Sequence, residues 1–527
     1  MSSHDEFDFV IVGAGSAGCV LGARLSEDPS NRVLLLEAGR PDRRQEIHVP
    51  AAFSKLFHTE LDWDYHTVPQ PHLDDRVMYW PRGKVLGGSS SINAMMWVRG
   101  VPADYDGWAS RGNPGWSYRE ILPYFKRAED TERHNPEHTG QGGPITIEVQ
   151  RDPNPGTRLF VEACIRSGIP RNPNANAGSN EGVDYTQVSQ HRGRRRSSSG
   201  GYLRLATDRA NLTVETRSLA TRVQVEDGRA VAVNYLRRGQ IKTARVAQEV
   251  ILTGGAINSP QLLLLSGIGP AGALRAFGIA PVMDLPGVGH NLVDHLAAGL
   301  IRFTSRTDSL VSARTARQLI KYLTRRRGML TSSVGEAHAF VKSNPNMEWP
   351  DVELLFAPVP FLDHGGTVPP GHGYTIGVVL LQPKSVGTIR LASTDPTAAP
   401  LIDPNYMSDP DDMRVMKVGL QRALDVFQTS PLAEVTAGWI RPESQPESEE
   451  EFAAGVRRYA ESLYHPSGTC RMGIDEMSVV DPKLRVHGIE SLRVADASIM
   501  PSLIRGHTNA PTVMIGEKAS DLVRASP

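Results

Sequence analysis

Cysteine is scarce: Cys19, Cys164 and Cys470 are the three in a chain of 527 residues. An odd, widely spaced set gives neither a disulfide framework nor a cysteine metal cluster, and no metal site is expected. Long apolar runs are missing as well. None approaches the roughly 20 residues needed to cross a bilayer, so no transmembrane segment is expected. An excess of one charge is also absent. The 57 Lys and Arg against 58 Asp and Glu leave a net charge of −1, which marks neither a nucleic-acid partner nor an anionic-membrane surface. The N-terminal MSSHDEF carries no basic region and no cleavable apolar segment, so the expected location is cytoplasmic.

Glycine and proline are plentiful, at 49 and 38 residues, which suits many tight turns and long loops rather than a helical bundle. The length allows two or more domains, or one with a large insertion. The chain opens on Phe9-Val-Ile-Val12, a short apolar run that reads as a buried parallel strand. Gly13-Ala-Gly15-Ser-Ala-Gly18 follows it, then a helical stretch, then a second apolar run, Val33–Leu36, ending at Glu37. Strand, G-x-G-x-x-G, helix, strand and acid together form a dinucleotide-binding unit. Gly13 permits the turn, Gly15 lets backbone approach a pyrophosphate, and Gly18 lets the helix pack on the sheet. Glu37 can accept both hydroxyls of a ribose. The motif alone leaves NAD and FAD both open.

Further along, Arg82 and Lys84 precede Gly87-Gly88 and three serines, a second anion-friendly loop. Two such loops suit a large dinucleotide lying extended. Residues 118–129 read as an amphipathic helix interrupted by Pro123. The run His191-Arg-Gly-Arg-Arg-Arg196 reads as a solvated basic turn. Strands are expected at Leu212–Glu215, Thr221–Val225, Ala230–Leu236 and Glu249–Leu252, with an Asp227-Gly228 hairpin turn. A short helix is expected at 261–266. Alternating segments at Ala337–Val341, Val352–Phe356, Thr375–Leu381 and Gly387–Leu391 suit an antiparallel sheet, followed by helices at Asp411–Gln428 and Glu449–Tyr459. Strand, loop and helix return in Val479–Val523.

Two late motifs hold candidate chemistry. His465 sits on a rigid loop, Tyr464-His-Pro-Ser-Gly468. His507 precedes Thr508-Asn-Ala-Pro511, where Thr508 or Asn509 suits a helix cap and Pro511 the first helical position. The positive end of that helix would favour an anionic ring beside it.

The chain as a whole resembles the glucose–methanol–choline (GMC) oxidoreductases, in the branch of choline dehydrogenase-like proteins and alcohol oxidases. The likeness rests on Gly13–Gly18 with Glu37, Arg82–Asn93, Thr253–Pro260, Asn291–His295 and the two late motifs. It implies an α/β fold: a Rossmann-like FAD-binding domain with an inserted α+β substrate domain on an antiparallel sheet. The FAD-binding domain would comprise residues 1–155, 195–302 and 463–527, and the substrate domain 156–194 and 303–462. Gly13, Gly15, Ser16, Ala17, Gly18, Glu37 and Ala38 would bind the ADP half of FAD, with Val223 meeting the adenine side by backbone. Arg82, Gly87, Ser90, Asn93, Ala94 and Met95 would hold the pyrophosphate and flavin region, and Asp496, Ala497, Asn509 and Thr512 would complete the cradle. His465 falls on the family's catalytic histidine and His507 on its partner position. Ile92 stands where some members carry a histidine bonded to the flavin, so FAD is expected to be non-covalent.

The implied reaction is oxidation of a primary alcohol to an aldehyde. His465 would act as general base, with hydride passing to flavin N5 and electrons leaving to O₂ or a quinone-like acceptor. The residues do not separate oxidase from dehydrogenase. An FAD-dependent lyase or decarboxylase on the same fold is the alternative. Tyr464, Trp97, Phe356 and Phe361 are candidates for an apolar substrate pocket.

Overall fold

The computed structural model describes residues 6–525; Met1–Asp5, which begin the acidic N-terminal stretch, lie outside them. The nucleotide unit forms as expected. Strand Glu6–Val12 lies parallel between Val33–Glu37 and Gln240–Leu252, and Leu212–Thr216 extends the sheet beyond Val33–Glu37. On the other side Gln240–Leu252 continues antiparallel into Arg229–Arg237 and then Ser218–Glu226. Leu492–Val494, from the far end of the chain, adds in parallel beside Val250–Leu252. The apolar runs 9–12 and 33–36 are buried, as a parallel sheet covered on both faces requires. Asp227 and Gly228 both take positive φ, 48° and 78°, the backbone of a type I′ hairpin turn.

Helix Ser16–Leu25 leaves the first strand through Gly13, whose φ of 103° no other residue adopts easily. A Cβ on Gly18 would stand 1.9 Å from the Gly13 carbonyl oxygen, so the close turn demands glycine there. The last helix, Asn509–Arg524, packs against Ser16–Leu25, and Asn509 Nδ2 donates to Ser16 Oγ at 2.8 Å. It starts at Asn509 with Thr508 as cap, so Pro511 takes the third helical position rather than the first.

The second body is a six-stranded antiparallel sheet. Its main path runs Ala337–Val341, Val352–Ala357, Gly373–Leu380, Leu296–Thr304, Thr436–Arg441, with Glu461–Ser462 also paired to Leu296–Thr304. Leu296–Thr304 crosses the expected boundary at 302/303. Helix Pro410–Phe427 covers one face, with Gly419 against Val352 and Val378. The other face meets a cavity through Ala297, Gly299 and Ile301, Leu355 and Ala357, and Thr375, Gly377 and Val379. That two-residue period is the pleat presenting alternate side chains.

Two expected elements differ. Thr388–Arg390 pairs with Leu401–Asp403 in a separate ribbon, because the preceding Gly387 is tied to Leu292 instead of the large sheet. The helix expected at 261–266 spans Gly255–Leu265 and contains Pro260. Proline there removes the N–H that would bond the Ala256 carbonyl, and Thr469 Oγ1 supplies that bond at 2.6 Å.

Candidate active site

A cavity lies between the two sheets. Part of its wall is Gly13, Gly15, Ser16, Ala17, Glu37 and Ala38, with Ser218–Ala220. Another part is Arg82, Gly88, Ser89, Asn93, Ala94 and Met95, with Asp496, Ala497, Asn509 and Thr512. His465 and His507 line it too, beside Phe53, Phe57, Phe361 and Tyr464.

The wall suits a dinucleotide. A Cβ on Gly15 would meet nothing nearer than the Thr253 carbonyl at 3.8 Å, and one on Gly255 would meet nothing within 4 Å. Both glycines stand at helix starts; the N–H groups of the first turn after Gly15 are available to a pyrophosphate, while the Gly255 N–H is taken by Asp496 Oδ2 at 2.8 Å. Gly88 approaches Gly15 so closely that a Cβ would be 2.7 Å from its Cα, which joins the two glycine loops into one cradle. Glu37 accepts the Ala14 N–H at 3.0 Å and the Gly39 N–H at 2.8 Å. Burial outweighs those hydrogen bonds and pushes its carboxyl up to about 7. Each oxygen keeps a lone pair for a ribose hydroxyl. These residues fit FAD.

His465 is set by a chain of two hydrogen bonds. Its Nδ1 lies 2.9 Å from His295 Nδ1, and His295 Nε2 lies 3.1 Å from the Leu381 carbonyl oxygen. A carbonyl only accepts, so His295 carries its proton on Nε2 and accepts at Nδ1. His465 therefore donates from Nδ1, and the bare nitrogen of the neutral ring is Nε2. Burial, then His507, His295 and Arg82, hold His465 well below the ordinary histidine value. Burial, then His507, takes His295 down to about 3. Both rings are neutral at neutral pH.

The backbone at His465 is also fixed. Its N–H donates to Asp294 Oδ1 at 2.6 Å, while Ser462 and Tyr406 hydroxyls donate to Oδ2. Tyr464 sits at φ 68°, strained for an aromatic residue by roughly 1–3 kcal/mol. Ser462 Oγ accepts its N–H at 2.8 Å and Arg82 Nη2 donates to its carbonyl at 2.6 Å.

The His507 ring centroid lies 4.9 Å from that of His465. Its Nε2 donates to the two oxygens of Glu353 at 3.1 and 3.0 Å. Glu353 is fully buried in strand Val352–Ala357, and His338 Nδ1 stands 3.5 Å from it. Burial alone would raise the Glu353 carboxyl, but His507 and His338 hold it well below the usual carboxylate range. It is an ionised group facing the His507 ring.

The fold thus brings His465 and His507 together with most of the expected cradle. Gly18, Gly87 and Ser90 stand behind the wall and shape the loops. Val223 is a correction: its N–H donates to Ser266 Oγ at 2.8 Å, and the strand reaches the cavity at Ser218–Ala220 instead, beyond a bulge. Arg82 lines the cavity with its guanidinium on the Pro81 and Tyr464 carbonyls. Trp97 and Phe356 belong to the core, and Phe53 and Phe57 take the places expected of them.

Sequence reading missed Arg195, His295 and Glu353. Arg195 was expected in a solvated turn. It is buried and donates to the Ile47 carbonyl at 2.7 Å, the Ser90 carbonyl at 3.1 Å and Asn93 Oδ1 at 2.6 Å. The available signal for Glu353 was an acid inside the apolar strand Val-Glu-Leu-Leu-Phe. Among the described residues no group of His, Cys, Asp and Glu could hold a metal, and no helix is long and apolar enough to cross a membrane.

Family models described as GMC oxidoreductase match residues 7–297 and 383–516. An uncharacterised GMC-type oxidoreductase of Mycobacterium tuberculosis is 49% identical, over 99% of both chains. An alcohol dehydrogenase [acceptor] of Pseudomonas putida is 44% identical, over 98% of this chain and 95% of that one. A solved structure of Aspergillus oryzae formate oxidase, described for modification of its FAD, superposes with a TM-score of 0.93. It is 29% identical and covers 100% of this chain and 99% of its own.

Proposed function

The chain belongs to the GMC oxidoreductase family and is an FAD enzyme acting on CH–OH donors; from this we propose that it oxidises a primary alcohol to the aldehyde with His465 as general base. The observation that carries the reading is the hydrogen-bond chain from Leu381 through His295, which leaves Nε2 of His465 bare toward the cavity.

Gly13, Gly15, Ser16, Glu37 and Asn93 would hold the cofactor. Bound there, FAD supplies the acceptor for the hydride that leaves the carbinol carbon. The protein's part is proton handling and placement. His465 Nε2 takes the hydroxyl proton, and its Nδ1–H stays on His295, so the ring cannot turn away. General-base catalysis of this kind is worth about 10²–10⁴-fold. His507 has its Nε2–H fixed on Glu353, which leaves the Nδ1 edge for the substrate oxygen. Phe53, Phe57, Phe361 and Tyr464 exclude water and favour an aromatic or long-chain alcohol. The final electron acceptor is O₂ or a quinone-like molecule. Ile92 has no nucleophilic atom to offer FAD, so acid precipitation should leave the yellow colour in solution.

The test is an anaerobic panel of primary alcohols read at the flavin band, followed by admission of O₂. At least one alcohol should bleach the wild type. His465→Ala should still bind FAD and bleach at least 100-fold more slowly. Bleaching of the variant at the wild-type rate would remove His465 as the base. No bleaching by any alcohol would favour the lyase reading. Slow return of colour under O₂ but fast return with a quinone would identify a dehydrogenase.

A further inference from the structure

Helix Ala316–Arg325 breaks the usual rule that an amphipathic helix buries its apolar stripe. Tyr322 is the one residue of the helix that is buried. Leu319, Ile320 and Leu323 are 50%, 61% and 59% exposed. With Ala316 they occupy about 100° of arc at 3.6 residues per turn, pointing to solvent. Arg317, Lys321 and Arg325 form a second exposed stripe beside them. Arg314 and Arg327, also exposed, flank the helix at its two ends.

A second basic segment joins this face. The hairpin Gln190–Arg195 lies against the end of the helix, with Gly193 so close that a Cβ would stand 2.8 Å from the Arg326 carbonyl. Its exposed Arg192 and Arg194 extend the positive surface. Two acids beside these cations are engaged. Asp152 pairs with Arg327 and Lys321, and Glu148 accepts the Arg192 N–H. The chain is almost neutral overall, yet its cations gather around an exposed apolar face.

We propose that this face docks on an anionic lipid bilayer. Leu319, Ile320 and Leu323 would enter the acyl boundary, and the surrounding arginines would meet anionic headgroups. An apolar arc bordered by Lys and Arg, lying along the surface and too short to span, is the chemistry of an interfacial helix. A protein partner would not require both the exposed apolar side chains and a basic stripe running beside them. The placement also has a use. Tyr322 and Met329–Thr331 pack the helix onto residues 48–56, and Phe53, Ser333 and Val334 from these adjoining segments line the cavity. Docking would set that wall against the membrane, where a long-chain alcohol or a quinone is dissolved.

The experiment is flotation of the FAD-loaded enzyme with vesicles of phosphatidylcholine alone and of phosphatidylcholine with 30% phosphatidylglycerol, about 30% being enough to give a strong negative surface potential. The wild type should float with the anionic vesicles, and raising the salt to about 0.5 M should release most of it. The Leu319→Ser, Ile320→Ser, Leu323→Ser triple variant should bind at least tenfold more weakly, with its flavin spectrum and its rate on a short, water-soluble alcohol unchanged. Arg317→Glu with Arg325→Glu should lose the preference for anionic lipid. Failure of the wild type to float, or equal flotation of the triple variant, would overturn the proposal. So would size-exclusion evidence that the wild type is a dimer and the triple variant a monomer, because the face would then belong to a second copy.

Discussion

At the scale of single residues, the hydrogen-bond direction at His295 decides which nitrogen of His465 is free. Replacing His295 with Ala removes the acceptor for His465 Nδ1–H, and the ring can then exchange tautomers. By analogy with histidines held by an outer partner at metal sites, the cost is about 10–100-fold in the rate of substrate oxidation. FAD binding should not change, since His295 does not line the cavity. A merely structural role would alter FAD release and melting while leaving the pH profile in place. The profile is therefore the discriminating measurement. In the wild type a lowered pKa keeps His465 neutral down to acid pH, so the acid limb of the oxidation rate should fall below the ordinary histidine value of about 6.5. Loss of the His295 contact removes one of the causes of that lowering, and the limb should move up in His295→Ala. A wild-type limb at or above 6.5 would contradict the burial and charge arguments together.

At the scale of elements, the local patterns read well where one period dominates. The first strand, turn and helix were legible because apolar run, glycines and acid each have one physical use. Helix Glu449–Tyr459 has the expected limits, since Ser448 caps it and its apolar residues repeat at helical spacing. Elements defined by distant partners were not legible. The helix expected at 261–266 starts at Gly255 and passes through Pro260 because Thr469, 209 positions later, takes the orphaned carbonyl. Arg195 is the same case within the site. Three arginines in a row imply solvent, yet strand Arg194–Arg195 turns one of them inward onto the Ser90–Asn93 loop. Arg195→Met should leave Asn93 Oδ1 with a single donor and the Ser90 carbonyl with none from this side. Leaving a buried partner of a charged hydrogen bond unsatisfied costs about 1–3 kcal/mol. Titration of FAD by its fluorescence should show affinity weakened roughly 5–150-fold, which is that cost expressed as binding. The rate of the fully loaded variant should stay within a few-fold of wild type. Unchanged affinity would mean that the Ser90–Asn93 loop holds its shape without the arginine.

At the scale of the molecule, the cofactor cavity is the seam between two sheets with separate cores. One buried cluster covers the parallel strands and both terminal helices, and another covers the antiparallel sheet and helix Pro410–Phe427. A direct polar tie across the seam is His507 to Glu353. The proposed catalytic pair is therefore assembled only when the two bodies sit together, and no stretch of sequence contains that information. FAD held in a cavity lined by both bodies would add binding free energy to the closed arrangement and none to an opened one. At a free concentration one hundred times its dissociation constant this is worth about 2.7 kcal/mol. Removing FAD, by gel filtration at high bromide or by mild acid, should lower the melting temperature. It should also weaken the coupling between the bodies, so that calorimetry resolves two transitions in place of one. Adding FAD back should restore the single transition. Glu353→Gln keeps the size of the side chain but removes the charge that His507 faces. It should widen the separation of the two apo transitions while lowering the holo melting temperature only slightly. A single apo transition at the holo temperature would show that the two cores hold each other without the cofactor, and that the seam is a permanent interface rather than one closed by its ligand.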